Sequence, residues 1–375
     1  MSGSRTDEAR RAVGGVGVDV GGIADALTLA DVAELARAVV DGRVWDFIEG
    51  GGGRERTVAE NTAAFDRLRL LPRVLTGAGT PDAGTRVLGR DWRMPLAVAP
   101  LAYHTLVDPE GEAATAAAAG AAGVPLVLST FAGRRFEDIA ASASGPLWLQ
   151  VYCFRDRGVT RALIERAADA GFEALVLTVD APRLGRRLRD LRNDFRLPAG
   201  IVPANLPGAD YSSPSGHAST EFDPCLDWTV VDWLRSVSTL PILLKGVLTG
   251  ADAARAVDDA GVDGVIVSNH GGRQLDAVPA GVEALPEVAE AVAGRCAVLM
   301  DGGIRRGTDM LLALALGADA VLVGRPVLHG LAVDGAKGVG RVLEILREEF
   351  ADAMALAGVA SVADAGRELV RRRAQ

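Results

Sequence analysis

One unit recurs along the chain and restricts its fold more than any other feature: a helix-like stretch, a small residue with glycine, then a short aliphatic run. It reads AGVPLVLST (122–130), AGFEALVLTVD (170–180), AGVDGVIVSNH (260–270) and LGADAVLVGRP (316–326). The glycine ends the helix, and a run that is apolar throughout fits a strand covered on both faces. Further runs of this kind are PLAVAP (95–100), PLWLQVY (146–152), PILLKG (241–246) and CAVLMDGG (296–303). Alternation of these eight runs with Ala-rich amphipathic segments predicts an α/β fold, a TIM (β/α)8 barrel over residues 95–375. On pattern alone, a doubly wound open sheet is the alternative.

Residues 28–94 precede the barrel. TLADVAELARAVVDGRVWDFIEGG (28–51) reads as two helices, and ENTAAFDRLRLLPRVL (60–75) as a helix and cover segment. Residues 1–27 are Gly-rich and polar with no apolar signal-peptide centre, and are expected to be a disordered leader. The longest connection, 181–228, follows the fourth strand, on the face where such barrels keep their chemistry.

The formal net charge of −9 argues against a nucleic-acid partner. No stretch is long and apolar enough to span a membrane. Cys153, Cys225 and Cys296 are scattered without a CxxC, which fits a reducing, cytoplasmic setting. Nor does any cluster have metal-ligand spacing.

Polar residues gather at strand ends. Gln150 and Tyr152, Thr178 and Asp180, and Ser268 and His270 are each spaced by two, so strand geometry would project each pair to one face. Gln150, Thr178 and Ser268 would form a lower ring suited to a flat, hydrogen-bonding cofactor. Tyr152, Asp180 and His270 would form an upper ring facing substrate. His270 is followed by two glycines that permit a sharp turn, bringing Arg273 back beside it. A base beside a planar cation suits a substrate with an acidic proton next to a carboxylate. Lys245 and Lys337 are the only lysines, and Lys245 ends the fifth run. There it could oppose negative charge on a reduced cofactor ring. DGGIRRG (301–307) after the seventh run and GRP (324–326) after the eighth occupy the usual phosphate position of these barrels. His104 needs no function on this reading; as it follows the first strand, a substrate contact is the alternative for it. His217 and His329 read as loop or helix residues.

TVDAPRLGRR (178–187), LLKGV (243–247), SNHGGRQLD (268–276), DGGIRRGTD (301–309) and VGRPV (323–327) together resemble the flavin mononucleotide (FMN)-dependent 2-hydroxy acid oxidase and dehydrogenase family. That family includes glycolate oxidase, lactate oxidase and mandelate dehydrogenase, and the likeness runs from about residue 28 onward. It implies FMN as cofactor, with an (S)-2-hydroxy acid oxidised to the 2-keto acid and O2 reduced to H2O2. It implies His270 as base, Asp180 as its partner and Tyr152 as a substrate hydrogen-bonder. Arg273 and Arg187 would clamp the substrate carboxylate. Lys245 would sit by flavin N1 and O2. Ser129, Gln150, Thr178 and Ser268 would hold the ring, with the backbone of Pro100, Leu101 and Ala102. Asp301, Gly302, Gly303, Arg305, Gly324 and Arg325 would take the ribityl chain and phosphate. A homo-oligomer, tetramer or octamer, is also implied. Sequence leaves open whether His270 takes the C2 proton or the hydroxyl proton.

Two positions depart from the family pattern. In WDFIEGG the family often has a tyrosine that touches the substrate carboxylate; here it is Phe47. Phe131 stands where glycolate oxidases tend to have tryptophan. Both changes suit an aryl-bearing substrate, although either phenylalanine also suits plain core packing. With PLAYHT (100–105), Phe47 makes the chain similar to actinobacterial mandelate and 4-hydroxymandelate oxidases. The alternatives are a glycolate or lactate oxidase, and a dehydrogenase passing electrons to a quinone or protein. From another class come a flavin barrel isomerase and a non-catalytic flavin-binding protein.

Overall fold

A computed structural model describes residues 21–373 apart from 207, 209–212 and 215–220. The antiparallel strands β1 (Leu68–Leu70), β2 (Thr85–Val87) and β3 (Arg90–Trp92) precede a closed parallel barrel. Its strands are β4 (Leu96–Val98), β5 (Leu126–Leu128), β6 (Leu147–Val151), β7 (Ala174–Thr178), β8 (Ile242–Val247), β9 (Gly264–Val267), β10 (Ala297–Asp301) and β11 (Ala320–Val323). They pair in chain order, with β11 returning to β4. All eight aliphatic runs of the sequence supply one strand each, and the open sheet is thereby ruled out.

Nearly every strand residue is buried, because helices cover the outside and side chains fill the inside. The interior is packed by Val127, Trp148, Val176, Leu243, Ile266, Leu299 and Leu322, with Ala97, Ala174 and Ala320 making room for the indole. Trp92, on the hairpin β2–β3, packs 5.6 Å from Trp148 and plugs the N-terminal end. With that end closed, only the C-terminal mouth can admit ligands.

The N-terminal extension bends over this mouth. The expected helices are Leu29–Val39 and Gly42–Glu49. Asp41 starts the second by accepting from the N–H groups of Arg43 and Val44 at 2.9 and 3.2 Å. The next helix, Arg56–Asp66, begins before the expected residue 60, and the segment after it forms β1 rather than a plain cover. β1 pairs antiparallel with β12 (Val370–Arg372), a partner so distant in sequence that three residues of alternation carry no signal. Of the leader expected over 1–27, residues 1–20 lie outside the described residues. Residues 21–27 are placed instead: Ile23–Asp25 form a 3-10 turn, and the buried Ala26 carbonyl accepts from Arg341 Nε and Nη2 at 3.1 and 2.9 Å. His217 lies outside the described residues. Among the described residues, no helix is long and apolar enough to cross a membrane.

The connection after β7 returns to the helix Thr229–Val237 and contains the short helix Leu188–Arg192. Its far end is fastened to the exit of β6: Arg155 N–H donates to Glu221 O at 2.8 Å, and Asp223 N–H to Cys153 O at 3.0 Å.

Candidate active site

A cavity of about 1330 Å³, its open mouth included, sits at the C-terminal ends of the strands. Its floor carries two hydrogen-bonded groups of side chains. Gln150 Nε2 donates to Thr178 Oγ1 at 2.9 Å, while its Oε1 accepts from Ser129 Oγ and Thr130 N–H at 3.4 and 3.2 Å. Lys245 Nζ donates to Ser268 Oγ at 2.8 Å and is paired with Asp301 Oδ2 at 2.8 Å. These side chains are buried, so each hydrogen bond fixes an orientation that water would otherwise blur.

Above the floor, His270 Nδ1 lies 2.9 Å from Asp180 Oδ1, and its Nε2 lies 3.4 Å from Tyr152 Oη. A carboxylate only accepts, so Nδ1 carries the proton and Nε2 presents its lone pair to the hydroxyl side. Burial pulls the imidazole pKa below its ordinary value, more than the Asp180 charge raises it, and Lys245 and Arg187 depress it further. Burial would raise Asp180, but the charge and hydrogen bond of His270 keep its carboxyl below the usual range. Burial drives the Tyr152 hydroxyl far above its normal pKa, so it remains a donor.

Strand alternation accounts for only part of this placement. β9 stops at Val267, and His270 follows in a 3-10 turn with φ of 59°. Gly271 and Gly272, at φ of 61° and 76°, complete three successive left-handed residues. A Cβ on Gly272 would meet the backbone nitrogen of Val58 at 2.6 Å. The histidine backbone is thus held in a costly conformation by its surroundings. Asn269 Oδ1 accepts from Gly272 N–H at 3.0 Å, and Asn269 exchanges amide hydrogen bonds of 2.9 and 2.7 Å with buried Asn61.

Three guanidinium groups converge on the cavity. Arg273 Nη1 donates to the carbonyls of Phe47, Ile48 and Gly50 at 2.7, 3.1 and 2.7 Å. Arg325 reaches the neighbouring carbonyls of Ile48 and Gly271 at 3.0 and 3.1 Å. Arg187 is buried, and its Nε has no partner among the described residues. Burial lowers the pKa of all three, and repulsion from other guanidiniums lowers it further. Mutually repelling cations, one buried and two half-buried, make a site for anions.

At the other end of the cavity, Gly302 and Gly303 adopt φ of 89° and 91°. A Cβ at Gly303 would strike Asn61 O at 2.0 Å, so only glycine keeps this loop close to the extension. Arg305 lines the cavity, as do Gly324 and Arg325 at the start of the helix Arg325–Ala357. Asp301 Oδ1 is buried without a partner, as expected of an acceptor waiting for a ligand hydroxyl. A phosphorylated, polyhydroxylated ligand with a flat polar ring fits this donor set.

Pro100, Leu101, Ala102, Phe47, Phe131, Tyr103 and Phe222 also line the cavity. Phe47 stacks on Phe195 at 4.5 Å, with Arg273 5.3 Å from its centroid. His104 does not reach the cavity. It is buried, its Nδ1 is 2.9 Å from Thr115 Oγ1, and burial lowers its pKa.

The family model for FMN-dependent dehydrogenases matches residues 36–372. The chain belongs to that family. The FMN-dependent dehydrogenase relatives include the L-lactate oxidase of Nostoc sp., 46% identical over 355 residues, covering 91% of this chain and 97% of that protein. The 4-hydroxymandelate oxidase of Amycolatopsis orientalis is also 46% identical, over 349 residues, covering 91% and 97%. A crystal structure of mandelate oxidase with (S)-4-hydroxymandelic acid superimposes with a TM-score of 0.88 at 45% identity, covering 92% of this chain and 98% of that one. The chain is therefore an FMN-dependent 2-hydroxy acid oxidase, acting on CH–OH with oxygen as acceptor. Two relatives equally identical to it carry different substrate names, so identity alone does not choose a substrate.

Sequence reasoning passed over several residues that shape the site. Gln274 Nε2 donates to the carbonyls of Asp180 and Arg183 at 3.1 and 2.9 Å, and its Oε1 accepts from Gly185 N–H at 2.8 Å. It therefore ties the Asp180 loop to the His270 turn. Glu49 lies 3.0 Å from His329 Nε2, which stacks on Trp45, and 3.9 Å from Arg325. Gln274 and Asn269 sit inside SNHGGRQLD and could have been singled out there; Glu49 and His329 carry no local signal.

Proposed function

We propose that this protein oxidises an (S)-2-hydroxy acid with an aryl group on C2, such as (S)-mandelate or (S)-4-hydroxymandelate, to the 2-keto acid, with O2 becoming H2O2. The observation that carries the substrate class is the aromatic lining of the cavity: Tyr103 and Phe131, with rings 6.0 Å apart, and Phe47, whose ring Arg273 approaches to 5.3 Å. Burying a ring in such a wall is worth roughly 0.8 kcal/mol per methylene-sized group.

The chemistry divides among the residues by charge. Arg273 and Arg187 hold the carboxylate, since both line the cavity together with His270 and Arg187 Nε has no partner among the described residues. His270, neutral at pH 7, accepts one substrate proton at Nε2. Asp180 keeps the imidazole in that tautomer and stabilises the imidazolium that results. Tyr152 donates to the substrate oxygen from beside Nε2.

FMN, when bound, takes up two electrons from the substrate and delivers them to oxygen. Ser129, Gln150, Thr178, Ser268 and the Pro100–Ala102 backbone would hold its ring, with Lys245 opposing negative charge there. Asp301, Gly302, Gly303, Arg305, Gly324 and Arg325 would hold the chain and phosphate. The free Cys153, Cys225 and Cys296 support a reducing, cytoplasmic setting, and the family resemblance supports a homo-oligomer, a tetramer or octamer.

Oxygen consumption with (S)-mandelate, (S)-4-hydroxymandelate, (S)-lactate and glycolate tests this reading. The aryl acids are expected to exceed the other two in kcat/KM by at least about tenfold. Glycolate turned over as well or better would overturn the substrate class.

A further inference from the structure

We propose that Phe222 is a specificity-determining residue of this oxidase, forming with the adjoining Phe131 one wall of the C2-substituent pocket. This inference rests on the aryl reading above. The residue lies at the end of the long connection after β7, where nothing in the local sequence marks it.

Phe222 is 3% exposed and lines the cavity. Its ring stacks on Tyr152 at a centroid distance of 4.5 Å and an interplanar angle of 22°. It lies 5.9 Å from Phe131, which is itself 5.8 Å from Tyr152. The three rings therefore form one triangle, at whose Tyr152 corner the hydroxyl meets His270 Nε2. The hydrogen and oxygen handled by His270 are both borne by C2, so a group attached to C2 starts within one bond of the reacting atoms. With the carboxylate turned toward Arg273 and Arg187, the Phe131–Phe222 side is the apolar direction left for it.

The wall is anchored. Phe154 and Phe222 form an antiparallel bridge, flanked by the Arg155–Glu221 and Asp223–Cys153 backbone hydrogen bonds. Phe154 meets the Phe222 ring edge-on at 5.8 Å. Asp223 Oδ2 accepts from Arg157 Nη2 at 2.7 Å, and that guanidinium lies 5.2 Å from the Trp233 ring centroid. A ring held this firmly costs little further ordering when substrate binds, so its contact with an aryl group is retained as selectivity. Contact between aromatic rings adds to simple area burial, whereas a methyl group gains little from the same wall.

The test compares the holoenzyme with Phe222→Leu and Phe222→Ala, measuring kcat/KM for (S)-mandelate and (S)-lactate. The mandelate-to-lactate ratio is expected to fall by about tenfold or more in Phe222→Ala, and by less in Phe222→Leu. A parallel loss for both acids would overturn the assignment, because it would mean that Phe222 only orients Tyr152. An unchanged ratio in both variants would overturn it as well. Should the alanine variant not fold, the leucine variant decides by the direction of its ratio. If the parent enzyme prefers lactate, the aryl reading fails separately, and the shift in the ratio still decides the role of Phe222.

Discussion

Asp180 Oδ1 stands 2.9 Å from His270 Nδ1, and the opposite ring nitrogen, Nε2, stands 3.4 Å from the Tyr152 hydroxyl. One contact fixes the tautomer and the other marks where a proton can be received. Replacing His270 by alanine should therefore slow flavin reduction by substrate by about 10²–10⁴-fold or more, while the flavin stays bound. Single-turnover reduction and the flavin spectrum of the variant check both parts. Reduction near the parent rate would remove His270 from the role.

The direction of its titration gives a second expectation. The pKa of His270 is lowered by burial, so protonation begins only below the ordinary histidine range. The kcat/KM profile should be flat near pH 7 and decline as pH falls through that depressed value, since the protonated ring cannot accept a proton. In Asp180→Asn the raising charge is lost, so the acidic limb should move to still lower pH while the plateau drops. A limb that moves upward would contradict the geometry.

Arg187 is buried and Arg273 half-buried, and nearby cations lower the pKa of each. Arg273→Met or Arg187→Met should weaken a simple carboxylate inhibitor by about 10- to 100-fold, as a lost charge-assisted hydrogen bond would. Titration of the flavin spectrum with the inhibitor measures this. An unchanged affinity in both variants would exclude a carboxylate clamp at this position.

For the cofactor, Arg305→Leu should raise the FMN dissociation constant by about tenfold or more, with riboflavin affinity changed much less. The reason is that Arg305 lines the cavity beside Gly303 and would act on the phosphate alone. Equal losses for FMN and riboflavin would place its effect elsewhere.

The barrel was legible because its strands are short, wholly aliphatic and introduced by helix-ending glycines, a pattern that buried parallel strands require. Gln150, Thr178 and Lys245 were legible because polar groups at the ends of such strands have few places to go but the mouth, whereas Ser129 came only from the family resemblance. His270 was found at the right place for an incomplete reason: a left-handed turn, rather than strand alternation, carries it there. His104 needs no function, as its sequence context suggested: a histidine just after a strand faces the mouth only if the following turn permits it. Here the turn directs it to Thr115 beneath. Phe222 was invisible because it ends a long connection with no period of its own, and the Glu49–His329 pair because its members lie 280 residues apart on two helices.

Anaerobic mixing of the yellow holoenzyme with (S)-mandelate, with glycolate in a parallel run, tests the central claim most directly. Rapid bleaching of the flavin by mandelate, one benzoylformate formed per flavin, and return of the oxidised spectrum with H2O2 on admitting air are predicted. Flavin that stays oxidised with mandelate but bleaches with glycolate would contradict the account.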